Sequence, residues 1–325
     1  MLICYRQSTD PFLNIAAEEY FVHQATEDMC MIWLNEKSVI IGKHQNAYAE
    51  INYPFVKKSN IPVIRRISGG GAVYHDLGNI NLTFIQQVGK SDPVDFGHFT
   101  TIFVKMLQSI GIEATVGNRN SLFIAGSKIS GHAEHIFHGK VLHHGTILFN
   151  ADLDTLANCL TSGKNFQSKS LPSVRSPVIN LVTFLPKGTD VHHFINEMLS
   201  WFLKYFPASR LFSLSGDDVE AIQHLAEIKY KTWKWNFGYS PSYSFPADIQ
   251  SFTGITSINV HVGNGEISQI EILKETGDQL LLSLLYNLKG VLHKEEEIEE
   301  FFVHNKIKLE LAGVSGVNFM DAFFG

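Results

Sequence analysis

The sequence predicts an α+β protein, and three observations carry that prediction. Helix-period segments alternate with short strand-like runs, a Gly-containing reversal joins two strands in mid-chain, and the last eighty residues repeat the mixture on a smaller scale. Taken in order, apolar periodicity marks helices around Asn14 to Gln24, Phe99 to Ile110, Leu153 to Leu160 and His192 to Tyr205. Strand-like runs fall at Met31 to Trp33, Val39 to Ile41, Val63 to Ile67 and Asn81 to Ile85. Leu122 to Phe149 reads as two strands reversed through His138-Gly139-Lys140, which would bring Lys128 and His144 close together. Further on, Ser257 to Val262 and Glu266 to Ile272 flank Gly263-Asn264-Gly265 as a hairpin, followed by helical stretches at about 278–288 and 295–304.

A length of 325 residues allows two domains. Regular periodicity gives way to Pro, Ser and aromatic residues over Tyr239 to Pro246, so the boundary is expected at about residue 245, with a larger domain over 1–245 and a small α+β domain over 246–325. With 45% apolar and 18% charged residues the chain is an ordinary globular one with a sizeable core. No apolar run is long enough to cross a bilayer, and Met1 to Arg6 lacks the pattern of a secretory signal. Cys4, Cys30 and Cys159 are far apart and form no Cys-x-x-Cys pair, which suits free thiols in the cytoplasm.

The net charge of −6 sits in the tail, where residues 250–325 hold eleven acids against five lysines. Much of it is Glu295, Glu296, Glu297, Glu299 and Glu300, read as a solvated helix face or helix start. Neither part is basic enough to make nucleic acid a partner.

The chemistry is concentrated at Arg65-Arg66-Ile67-Ser68-Gly69-Gly70-Gly71-Ala72-Val73-Tyr74-His75-Asp76-Leu77-Gly78-Asn79. Residues without Cβ let the backbone come close to an anion, and two guanidiniums add forked, permanently charged donors. The segment has neither the Gly-Lys-Ser/Thr ending of a P-loop nor Gly-x-Gly-x-x-Gly spacing. It resembles instead the signature of lipoate-protein ligases. The likeness recurs in Gly126-Ser127-Lys128-Ile129-Ser130-Gly131-His132-Ala133 and in His143-His144-Gly145-Thr146-Ile147-Leu148. Asp10 to Glu19, Ile41 to Asn46, Ser173 to Val178 and Trp233 to Gly238 extend it over most of residues 1–240.

The resemblance implies a biotin/lipoate ligase-like catalytic domain of mixed sheets flanked by helices. It also implies an enzyme that uses ATP and Mg²⁺ to turn lipoate into lipoyl-AMP and pyrophosphate. The lipoyl group would then pass to a lysine of acceptor domains in 2-oxoacid dehydrogenase complexes and the glycine-cleavage H protein. Lys128 would be the catalytic residue, touching both the acyl carbonyl and the adenylate phosphate. Arg65, Arg66, Gly71, Ala72, Val73 and Tyr74 would bind the nucleotide, and Ser68, Gly69, Gly70 and His144 would line the acyl pocket or the loop beside it. Asp76 or Asn79 could lend an oxygen to Mg²⁺, while Asp before Leu-Gly is equally a turn residue. Two positions depart from the family pattern. Ser121 stands where these ligases tend to carry Asp, and His132 follows Ser-Gly where they tend to carry Ser.

Two other functions fit the same motifs. An acyltransferase taking preformed lipoyl-AMP or an acyl carrier thioester would need, for the thioester route, a reactive Cys by the site, and all three cysteines read as small core residues. A non-catalytic lipoate sensor would keep the pocket without turnover. His132, His135 and His138 recur at intervals of three, but in a hairpin such positions alternate between faces and do not make a metal site.

Overall fold

The structure is a computed structural model of the chain and describes every residue except 90–96, 118–120, 162, 171 and 175. Its contacts divide the chain into two compact units, each assembled from three separate stretches. The first comprises Met1–Lys43, Ile64–Ala157 and Ser173–Lys231, and the second His44–Val63, Asn158–Pro172 and Thr232–Gly325.

The first unit is built on a six-stranded mixed sheet in the order His132–Phe137, Lys140–Leu148, Asn79–Gln87, Met29–Leu34, Leu2–Tyr5, Arg210–Leu211. Side-chain alternation along Asn79–Gln87 explains its two faces. Ile80, Leu82 and Phe84 enter the apolar core, where Phe84 meets Phe99, Phe103 and Phe202 from the helices His98–Ser109 and Val191–Tyr205. Asn81 and Thr83 point the other way, toward Trp33 and the helix Pro11–Gln24. That helix begins cleanly because Asp10 accepts the N–H groups of Phe12 and Leu13 and Pro11 occupies the first turn. The face it buries carries Asn14 and Glu18 among Ile15, Phe21 and Val22.

The second unit is an antiparallel sheet in the order Gln167–Ser168, Tyr243–Ser251, Gly254–Gly263, Glu266–Lys274, backed by helices that include Gln279–Tyr286, Glu295–His304 and Gly316–Phe324. The hairpin expected at Gly263-Asn264-Gly265 is present, with Asn264 and Gly265 both at positive φ (53° and 82°), as a two-residue turn matched to strand twist requires. Burial alternates strictly along Tyr243–Ser251, placing Tyr243, Phe245, Ala247 and Ile249 inside. Tyr48 docks its ring on Phe237, His293 and Phe324 and donates its hydroxyl to the His293 carbonyl.

This division differs from the expected 1–245 and 246–325. Residue 245 lies inside a strand, and the Tyr239 to Pro246 segment belongs to the second unit, where Ser240 Oγ accepts the Ala47 N–H at 3.2 Å. Pro246 looks like a linker residue in the sequence, yet it sits beyond the point where Gln167–Ser168 pairs. Its missing N–H therefore costs no ladder bond on that edge.

The four predicted helices of the first 245 residues are all present, each within about three residues of its expected start. The segment 122–149 holds four strands rather than two. The turn at His138-Gly139 is as expected, and a second at Ala125-Gly126 (φ 49° and 78°) sets off Ser127–Ser130, the strand that carries Lys128. Among the described residues no helix is long and apolar enough to cross a membrane.

Candidate active site

A cavity of about 680 Å³ opens in the first unit, and the predicted motifs meet on its wall: Arg66, Gly70 and Gly71 from the glycine loop, Lys128, and His144. Strand Val63–Arg65 ends on the first arginine, and Arg66 follows it directly. Adjacent residues of an extended chain face opposite ways, so only one can reach the cavity. Arg66 does. Arg65 is fully buried and gives Nη1 to the carbonyls of Gly42 and Lys43, each at 3.0 Å. The same rule separates Val73 and His75, which line the cavity, from Tyr74, which does not.

Arg66 frames its own loop. Nε donates to Ser68 Oγ (2.9 Å), Nη1 to the Ile40 carbonyl (3.1 Å) and Nη2 to the carbonyls of Gly69 (2.6 Å) and Gly71 (2.8 Å). Burial pushes its pKa down to about 10 against the pull of Glu18, so it stays cationic at neutral pH. With those carbonyls turned to the guanidinium, the N–H groups of Gly69, Gly70 and Gly71 donate to no partner among the described residues. Gly70 needs its φ of +87°. A Cβ on Gly42 would lie 2.1 Å from the Gly70 carbonyl oxygen, so the Ile41-Gly42-Lys43 block packs directly under the loop. On the other side Ser173 Oγ accepts the Ala72 N–H at 2.8 Å, and Ser173, Val174 and Ser176 complete the wall; Arg175 lies outside the described residues.

Lys128 is fixed at its backbone by Pro177 and Ile179, and its side chain runs over Gly131, where an added Cβ would sit 3.5 Å from Cε and Nζ. Both departures from the family pattern, Ser121 and His132, line the same cavity. His132 belongs to a hydrogen-bonded row: Ser130 Oγ to its Nε2 (2.6 Å), its Nδ1 to His143 Nε2 (2.9 Å), and His143 Nδ1 to Glu134 Oε1 (3.0 Å). Burial holds both imidazoles below the usual histidine range, helped at His132 by the nearby His143 and Lys128 and opposed at His143 by Glu134. The row therefore puts a neutral ring beside the Lys128 cation.

His144 is held from both ends, Nε2 at 2.7 Å from Ser68 Oγ and Nδ1 at 2.8 Å from Glu18 Oε1; the same oxygen accepts the Thr83 hydroxyl at 2.6 Å. Ser68 and Gly69, expected at the acyl pocket or beside it, stand behind the wall as supports of Arg66 and His144. Glu18 had no expected role. Its signal was present in the sequence as a carboxylate four residues after Asn14 on the buried stripe of an otherwise apolar helix face. His75 also lines the cavity; Asn35 holds its Nδ1 at 3.1 Å, and burial, with Arg66 and His144 adding, pushes its pKa down to about 3.

Asp76 and Asn79 stand apart. Asp76 Oδ1 accepts the Gly78 N–H and Oδ2 the Asp152 N–H, both at 2.8 Å, the bonding of a turn residue, and neither residue reaches the cavity. Among the described residues no carboxylate lines the wall, and no group of three His, Cys, Asp or Glu side chains is placed to hold a metal ion. The three cysteines are buried, none lines this cavity, and burial pushes the Cys4 thiol up to about 11.

Residues 10–203 match the model of the lipoyl protein ligase A/B catalytic domain. Over 298 residues the chain is 36% identical to lipoate-protein ligase 1 of Staphylococcus aureus, covering 90% of each protein. Lipoate-protein ligase LplJ of Bacillus subtilis is 31% identical over 323 residues, 97% of each. Among solved structures, Plasmodium falciparum LipL1 in complex with lipoate superposes with a TM-score of 0.64 over 99% of this chain and 98% of that one, at 23% identity, a likeness of fold. Lipoate-protein ligase A bound with ATP gives 0.63 at 25% identity, over 73% of this chain and 98% of that one. A bipartite archaeal ligase from Thermoplasma acidophilum, studied with its E2 lipoyl domain, gives 0.62 at 25% identity, over 73% and 96%. The arginine-framed glycine loop, the lysine facing it and the relatedness along nearly the whole length agree: the chain belongs to the lipoyl protein ligase A/B family.

Proposed function

We infer that this protein is an ATP-dependent lipoate-protein ligase: lipoate attacks the α-phosphate of ATP, lipoyl-AMP forms and pyrophosphate leaves, and a lysine ε-amine then takes the lipoyl group as AMP departs. The observation that carries this reading is the convergence on one cavity of Lys128, Arg66 and the glycine loop, whose wall residues Gly70 and Gly71 have N–H groups that donate to no partner among the described residues. Activating a carboxylate brings two anions together, and fixed donors that need no reorganisation stabilise that encounter. In this reading Lys128 bridges the acyl oxygen and the α-phosphate, Gly70 to Val73 cradle the phosphates, and His144 borders the acyl chain beside the apolar Ile15, Trp33 and Ile40.

Magnesium finds no carboxylate on the described wall, so the residues present do not fit a protein-held ion. We assign Mg²⁺ to the nucleotide's phosphates rather than to Asp76 and Asn79. The acceptor lysines are proposed to lie on lipoyl domains of 2-oxoacid dehydrogenase complexes and on the glycine-cleavage H protein. Support for the first comes from the archaeal relative studied with its E2 lipoyl domain. Three buried free thiols fit work in the cytoplasm. The thioester-using transferase is the weaker reading, since none of the three cysteines borders the cavity.

The test is pyrophosphate release from ATP, Mg²⁺ and lipoate by purified protein. Lys128→Ala is expected to lower it at least about a hundredfold with an unchanged circular dichroism spectrum. Wild-type-like lipoyl-AMP formation by this variant would overturn the reading.

A further inference from the structure

A second cavity of about 300 Å³ lies elsewhere in the first unit and shares no lining residue with the candidate active site. Its walls come from the chain after strand Leu2–Tyr5, the first turn of helix Pro11–Gln24, the loop 212–214 and helix Gly216–Leu225. They are mostly apolar: Tyr5, Leu13, Phe212, Leu214, Val219 and Ile222. One charged side chain lines it, Arg6, which is only 8% exposed.

Arg6 is a cation with no counter-charge paired to it among the described residues. Its Nε donates to Asn14 Oδ1 at 2.8 Å, and neither terminal nitrogen meets an acceptor among the described residues, nor does any carboxylate pair with it. Those terminal nitrogens are not sealed from solvent, unlike the orphaned buried atoms elsewhere in the fold. The guanidinium is also held still. Asn14 Nδ2 faces the carbonyls of Ser8 and Leu34 and the Oδ1 of Asn35, each at 2.9 Å, so its oxygen must turn to Arg6. Burying an unpaired charge is expensive, and a fixed pair of Nη donors on an apolar floor matches the two oxygens of one carboxylate.

We propose that this cavity binds a small monoanionic carboxylate with an aliphatic tail, its oxygens on the Nη atoms of Arg6 and its tail against Leu13, Leu214, Val219 and Ile222. The volume is at the lower end for a small-molecule site and admits a medium-chain acid, while Gln7, Ser8, Ser213 and Gln223 supply polar groups for the carboxylate end. The chain of bonds does not stop at Asn14: Asn35 passes it on to His75 on the wall of the active-site cavity.

The experiment is a titration of the full chain, methyl-labelled at Ile, Leu and Val, with octanoate up to roughly 5 mM, followed by NMR. The methyls of Leu13, Leu214, Val219 and Ile222 are expected to shift together and saturate, while Ile40 reports the active-site cavity separately. Acetate, which lacks the tail, and octanol, which lacks the charge, are expected to bind at least about tenfold more weakly. Arg6→Met should abolish the response, and Val219→Trp should do so by filling the space with Arg6 intact. If Arg6→Met fails to fold, Val219→Trp and the comparison of octanoate with octanol decide. Still methyls in the wild type, equal saturation by octanol, or an undiminished response in Val219→Trp would overturn the proposal.

Discussion

Glu18 Oε1 lies 2.8 Å from His144 Nδ1, and the carboxylate is wholly buried. The carboxylate takes the Nδ1 side of the ring and Ser68 Oγ the Nε2 side, 2.7 Å away, which ties His144 to the oxygen that also receives Arg66. Glu18→Gln keeps the shape but removes the carboxyl group that faces His144, and its one oxygen must serve both Nδ1 and the Thr83 hydroxyl, the two partners of Oε1, while an N–H₂ takes the place of the unpartnered Oε2. Pyrophosphate release with lipoate is expected to fall about tenfold or more, an effect of roughly 1.5–3 kcal/mol, while the chain stays folded. Wild-type activity in the folded variant would remove His144 orientation from the mechanism.

Gly42 and Gly69 give opposite expectations for the same substitution. Gly42→Ala drives a Cβ to 2.1 Å from the Gly70 carbonyl oxygen and must displace the loop, whereas Gly69→Ala meets nothing within 4 Å and has an ordinary φ. ATP-dependent activation should drop by two orders of magnitude or so in the first and stay within about threefold in the second. Equal effects in both would mean that the phosphates do not depend on the loop's position.

Acid should weaken the fold through its buried histidines. Burial pushes the pKa of His293 down to about 3, with the Phe323 carbonyl opposing; His75 is likewise near 3. In the unfolded chain both titrate near 6.5. Between those values the unfolded chain holds protons that the folded one refuses, so stability is full above pH 6.5 and falls as pH drops toward 3, by about 2 kcal/mol per histidine at pH 5. His293 sits between Tyr243 (2.7 Å to Nδ1) and Phe323 (3.4 Å to Nε2), and His293→Gln should flatten the pH dependence of the urea midpoint by one proton's worth. An unchanged slope would contradict the assignment of a neutral ring.

A chain cut after residue 245 should not behave as a free-standing catalytic domain. It keeps Tyr48 and Tyr53 but loses His293 and Phe324, on which their rings pack, and it ends within the strand Tyr243–Ser251. Aggregation or strong binding of a hydrophobic dye is expected. A monomeric fragment with cooperative unfolding would show the second unit's early segments to be self-sufficient.

Much of this was legible in the sequence because it depends on local rules. The Gly69 to Gly71 loop, the His138-Gly139 turn and the long helices follow from backbone sterics and periodicity. What was not legible depends on partners far along the chain. Arg65 and Arg66 look equivalent until strand alternation turns Arg66 to the cavity wall and Arg65 away from it, onto the carbonyls of Gly42 and Lys43. Asp76 could be ligand or turn, and only the bound N–H groups of Gly78 and Asp152, the latter 76 residues away, decide between them. Glu18 acquires its role from His144, and the boundary near residue 245 dissolves because 44–63 and 158–172 belong with the tail.

That interleaving also imposes a timetable. A ribosome making this chain releases residues 44–63 about 170 residues before Thr232, the start of the stretch that completes their unit, an interval of roughly ten to thirty seconds at ordinary elongation speed. Through that interval Tyr48, Tyr53 and Val56 have no finished core to enter, so the nascent protein carries an open apolar claim that only its late translation can close. Slowing elongation between codons 64 and 231 would lengthen the exposure without altering a single residue, which makes the yield of this protein sensitive to the pace of its own synthesis.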